Sequence, residues 1–88
     1  MKKVWYHIGA DIILAPAVPL PELPEIPRDA LVIIEGRAPI WRYGMAIHKV
    51  HGRAAAVATY IPGLGAVIVA SHTDEYKEGD ILDVEETE

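Results

Sequence analysis

Cysteine, asparagine and glutamine are absent from the chain. Without cysteine there is no disulfide framework and no thiolate to ligate a metal or act as a nucleophile. Asn, Gln and Cys are the side chains that degrade fastest when hot, so their joint absence points to a thermophilic archaeal or bacterial source. No apolar run approaches the roughly eighteen residues of a membrane-spanning helix. Lys2 and Lys3 precede an apolar stretch, as in a targeting segment, but His7 and Asp11 interrupt it and a paired strand accounts for it better. The expectation is a soluble, cytoplasmic protein that does not contact a membrane.

The most informative lack is local. Residues 36–72, GRAPIWRYGMAIHKVHGRAAAVATYIPGLGAVIVASH, contain no Asp or Glu, although the whole chain carries 13 acidic against 8 basic residues. The stretch holds Arg37, Arg42, Lys49 and Arg53 together with His48, His51 and His72. The net charge of -5 therefore hides a cationic segment suited to an anion. Most of the acid follows from Asp74 onward, where charge on a last edge strand discourages unwanted pairing.

With 88 residues the chain makes one domain, residues 1–88, of a size that buries proportionally little surface. An apolar fraction of 51% is more than so small a core uses, and a homodimer or larger symmetric assembly is the usual outlet. Residues 1–15 read as N-terminal strands: KVWYHI and IILA, split by Gly-Ala-Asp, predict a hairpin or a bulged strand at the sheet edge. Residues 16–30 include Pro16, Pro19, Pro21, Pro24 and Pro27, which predict an extended segment laid over a sheet face by its leucines. A ligand for a proline-recognising domain is the functional alternative.

Residues 31–84 form the core. LVIIEG predicts a strand buried on both faces. Pro39 then opens a helix whose apolar face is Ile40, Trp41, Met45, Ile47 and Val50, with Gly52 just past its end. AAAVATY is a second strand, so strand, helix and strand form a crossover with parallel strands. Pro62-Gly63 makes a type II turn into an antiparallel strand, AVIVAS, and ILDVEE is a last edge strand that runs into the acidic tail, residues 85–88. The fold class is α/β, a small Rossmann-like mixed sheet with one main crossover helix.

In such sheets ligands bind beyond the carboxyl ends of the strands, where Gly36, Arg37, Ala38 and Pro39 lie; the helix N-terminus and a guanidinium there suit phosphate. His48 and His51 share one helix face and can chelate a metal or transfer a proton, or they are simply exposed cations favoured at a helix C-terminus. A metal would need a further ligand from His72, Asp74, Asp80 or a second chain. Trp41, Tyr43 and Tyr60 could stack on bases, with Trp41 better placed in the core.

GRAPIW (Gly36 onward), HKVH (His48 to His51), PGLGAVIVASH (Pro62 to His72) and EGDILDV (from Glu78) occur in the order and with the gaps of the CRISPR-associated Csx3 family, the Crn-three ring nucleases, which this chain resembles over residues 31–84. The resemblance implies a compact relative of the CRISPR-associated Rossmann fold, whose dimers stack into tetramers. It further implies binding of cyclic tetra-adenylate or short adenylate RNA, not DNA, at a site shared between dimers, with manganese-dependent cleavage that ends type III CRISPR signalling. Gly36, Arg37 and Pro39 match the family's G-R-G-P strand end, with Ala38 for the second glycine. His48 and His51 match the helix histidines, the second implicated in metal binding or catalysis. Ser71 and His72 match a pair near bound RNA, and Arg42 falls among the expected ligand contacts.

The turn departs from the family. Where the family reads D-P-R-L-G, this chain has Ile61-Pro62-Gly63-Leu64-Gly65, so a carboxylate and an arginine are missing. Manganese prefers hard oxygen ligands, and isoleucine offers none. Three readings follow. The first is an oligoadenylate-binding protein that cleaves slowly through its histidines; the second, a catalytically silent binder of the same ligand; the third, a protein-interaction module with no nucleotide.

Overall fold

The computed structural model describes residues 1–9 and 15–85. Its elements are β1 (Lys3–His7), β2 (Leu31–Glu35), α1 (Ile40–His51), β3 (Ala56–Ile61), β4 (Gly65–Ser71) and β5 (Ile81–Leu82). The strands form one mixed sheet in the order β1-β2-β3-β4-β5. β1, β2 and β3 run parallel, whereas β4 and β5 are antiparallel to their neighbours. This is a small α/β domain with one helix among the described residues.

Apolar runs explain the central strands: Leu31, Val32, Ile33 and Ile34 are all fully buried, because both faces of β2 are covered. One face packs Val32, Ile34, Val57 and Tyr6 beneath Ala46 and Val50 of α1. The other packs Leu31, Ile33, Ala58 and Ile68 beneath Tyr76, Leu82 and Val84 of the C-terminal segment, flanked by Trp5 and Tyr60. A register shift beside Val57 and Ala58 lets both Val69 and Ala70 reach the helix side.

β1 lies at the edge of the sheet. It pairs in parallel with β2, so the chain must cross over between them, and the proline segment makes that crossover without helix or strand. Most of the IILA run, and with it the expected hairpin or bulge, lies outside the described residues. Leu20, Leu23 and Ile26 pack against the helix-side core. Since proline cannot donate a backbone hydrogen bond, side chains hold the segment: the Tyr6 hydroxyl donates to the Pro21 carbonyl at 2.5 Å. The final strand is also shorter than ILDVEE suggests, pairing only Ile81 and Leu82 with Val67 and Ala66.

The helix bounds agree with the sequence pattern, but its buried face does not. Arg42, Ala46 and Val50 are buried, with Tyr43 and Ile47 beside them, while Ile40 is 88% exposed and Met45 is exposed. The inward stripe falls one position from the expected one because an arginine occupies a core position.

Burial raises the Tyr6 pKa, opposed by the nearby Arg42 charge. A phenol whose folded pKa is raised contributes stability that is intact below its unfolded pKa of about 10 and is lost as pH rises through the folded value. Urea unfolding between about pH 8 and pH 11 should therefore show a loss of stability that is smaller in Tyr6→Phe. The variant should itself lose about 1 kcal/mol at neutral pH, from the missing hydrogen bond. Parallel pH curves for the two proteins would contradict this.

Candidate functional site

The crossover helix runs back along the sheet, so its two ends lie at opposite ends of the parallel strands. At the carboxyl ends of β2 and β3 lie Gly36, Arg37, Ala38 and Pro39, with Pro39 as the helix N-cap and no acidic residue in the first turn to compete for an anion. Tyr43 fixes this corner by donating its hydroxyl to the Gly36 carbonyl at 2.6 Å. A groove of about 630 Å³ opens here between Gly36, Arg37, Ile40, Tyr60, Ile61 and Pro62. Among the described residues Arg37 is its only charged lining residue, and Ile61 and Leu64 of the neighbouring turn are exposed.

At the other end, His51 closes α1 and His72 follows β4. The His72 backbone N–H donates to the Ala55 carbonyl at 2.8 Å, which ties it to the loop leading into β3. The two imidazoles meet with ring centroids 4.7 Å apart and planes tilted by 56°. Both residues are exposed, so a ligand can reach them. His48 is exposed one turn earlier, and the ring contact of His51 is to His72 rather than to His48. The last helical turn carries His48, Lys49 and His51, cations that the helix dipole favours.

Thus His51, Ser71 and His72 gather at one end, and Gly36, Arg37 and Pro39 at the other. A 12-residue helix separates them, about 18 Å at 1.5 Å per residue. Sequence spacing hides this, though the topology reveals it, since a helix joining parallel strands must return to their starting ends. The Ser71 hydroxyl is engaged within its own turn, 2.8 Å from the Tyr76 carbonyl and 3.0 Å from that of Thr73.

Arg42, expected among the ligand contacts, is buried instead of presented on the surface. It is 3% exposed, and its guanidinium donates to the Ile8 carbonyl at 2.8 Å, the Val18 carbonyl at 3.1 Å and the Pro19 carbonyl at 3.4 Å. Its charge is used to tie β1 and the proline segment to the helix.

Manganese does not fit the donors of one chain. Among the described residues no three His, Cys, Asp or Glu come together. Two imidazoles without a carboxylate make a poor set for a hard cation. Asp80, a possible third ligand by sequence, instead accepts the Lys77 backbone N–H at 2.8 Å within its own turn.

Sequence reasoning assigned no role to Arg28 and counted Arg53 only among the cations of the acid-free segment; the two share a second cleft at the His51 end, of about 450 Å³. The signal was present: the Pro27-Arg28-Asp29 turn precedes β2, and so lies at the same end of the sheet as the residues after α1.

No helix among the described residues is long and apolar enough to cross a membrane. The family described as CRISPR-associated protein (Cas_csx3) matches residues 7–83, a span that takes in both ends of the sheet. An "Uncharacterized protein" of Aquifex aeolicus (strain VF5) is 38% identical over 55 residues, covering 61% of this chain and 49% of that protein. The chain spans about half the length of this curated relative.

Proposed function

The chain belongs to the Csx3 family of CRISPR-associated proteins, and from that premise we propose that it binds cyclic tetra-adenylate or a short adenylate RNA between two copies and cleaves it through His51 and His72. The observation that carries this reading is the contact of the two exposed imidazoles, 4.7 Å apart, at a basic end of the fold. Two such rings suit metal-free cleavage of RNA. One neutral imidazole takes the proton of a ribose 2'-hydroxyl; O2' bonds to the adjacent phosphorus; the P–O5' bond breaks; the second ring, entering as imidazolium, gives its proton to the departing O5'. The products are a 2',3'-cyclic phosphate and a free 5'-hydroxyl.

Cations stabilise the charge that develops on phosphorus. Arg37 lies at the far end of the same chain, so it joins the imidazoles only if another copy presents it. A stacked homodimer or tetramer supplies that arrangement.

Incubation with labelled cyclic tetra-adenylate, followed on native and denaturing gels, tests the reading. The expected result is a retarded ligand and linear product, with a rate unchanged by a chelator. His51→Ala should retain the retardation and lose cleavage by about 100-fold or more, the usual contribution of a proton-transfer group. Equal rates for variant and parent would remove His51 from the chemistry, and a strict need for manganese would rule out the metal-free step.

A second reading, binding without cleavage, draws on the Ile61 to Leu64 turn, which presents apolar surface where the family pattern has an acid and an arginine. Retardation with the ligand intact would favour it.

A further inference from the structure

The cleft of about 450 Å³ beside the imidazole pair is built from the end of the proline segment and the loop after α1. Pro24, Ile26 and Ala54 give it an apolar lining, and Arg28 and Arg53 line it too. Its volume falls within the range of about 300–1,000 Å³ typical of small-ligand sites. Both arginines are exposed. Among the described residues neither guanidinium has a hydrogen bond or ion pair. Glu25 also lines the cleft but bridges to neither. Two cations and one carboxylate leave the cleft net positive. Arg53 lies two residues beyond His51, across Gly52, so the cleft begins where α1 ends, close along the chain to the imidazole pair, although neither histidine lines it.

We propose that Arg28 and Arg53 together clamp a second phosphodiester of the bound oligonucleotide, next to the one facing His51 and His72. This rests on the reading given under Proposed function. Guanidinium forks suit phosphate because two N–H donors meet two phosphate oxygens at once. Placing the clamp beside the imidazoles makes recognition depend on length: an RNA with one phosphodiester reaches the rings but not the arginines, whereas cyclic tetra-adenylate reaches both.

The test compares the parent, Arg28→Ala, Arg53→Ala and the double variant in binding to cyclic tetra-adenylate and to the dinucleotide ApA at several salt concentrations. Both side chains are exposed, so the variants should fold. The double variant should bind the cyclic ligand about tenfold or more weakly, as expected for lost charge-assisted bonds, and with a shallower salt dependence. Its binding of ApA should match the parent. The Arg→Lys pair should restore the salt dependence more than the affinity, because charge returns without the fork. Unchanged binding of the cyclic ligand by the double variant overturns the proposal, as does an equal loss for ApA.

A second arm uses inorganic pyrophosphate, which requires no adenine recognition. If the parent binds no adenylate, the reading under Proposed function fails by itself. The clamp then stands only if pyrophosphate shifts the Arg28 and Arg53 side-chain NMR signals, and falls if it does not.

Discussion

Arg42→Met is expected to cost about 3–5 kcal/mol, because the backbone carbonyls that its guanidinium serves lose their donor. The side chain is 3% exposed and the acceptors of its guanidinium are the carbonyls of Ile8, Val18 and Pro19. Methionine fills the space of the stem but leaves those carbonyls without their donor. The proline segment has few N–H groups with which to compensate, since Pro16, Pro19 and Pro21 have none. Unsatisfied acceptors near the core cost about 1–3 kcal/mol each where water cannot reach them, and partial access of water at Val18 and Pro19 keeps the total below a simple sum. Against a typical net stability of about 5–15 kcal/mol, such a loss is a large fraction of the whole. Chemical denaturation measures it, and limited proteolysis should show cleavage in the proline segment before the sheet opens. A cost under about 1 kcal/mol would mean that the leucines alone hold the segment in place.

Gly36→Ala is expected to cost about 2–4 kcal/mol, combining backbone strain with overpacking. Gly36 has φ +145°, and a Cβ there would lie 2.2 Å from the Gly9 nitrogen and 2.8 Å from its Cα. The obstacle is backbone, which cannot rotate aside as a long side chain would. Gly9→Ala meets the same crowding from the opposite side, with Arg37 N at 2.6 Å. Gly44→Ala is the internal control: it lies in α1, nothing stands within 4 Å of its added Cβ, and it should gain about 0.5–1 kcal/mol from helix propensity. Thermal or urea midpoints would separate the two directions of change, and a neutral Gly36→Ala would show that β1 and β2 can part at their ends.

Much of the fold is legible in the sequence because its signals are local. LVIIEG reads as a doubly buried strand without knowledge of its neighbours, Pro39 and Gly52 bracket the helix, and Pro62-Gly63 marks the turn. The pairing of β1 was not legible, since a proline-rich segment carries no periodic signal to say that it crosses the sheet. The helix face was misread at Arg42, where composition suggests water or phosphate and only the tertiary structure supplies three carbonyls. His51 and His72 could each be proposed from motifs. That their rings meet, while Arg37 stands about a helix length away, depends on strand direction, which residue spacing does not carry.

The proline segment also shapes the surface beside it. An extended proline path advances about 3.1 Å per residue against 1.5 Å for a helix, so it crosses the sheet with about half as many side chains for the same distance. The layer it makes is correspondingly thin. Residues 24–28 of that layer come alongside the loop after α1, and the cleft of Arg28 and Arg53 lies between the two. A relative that used a second helix for this crossover would have a level surface there and nowhere for the two guanidinium groups to converge.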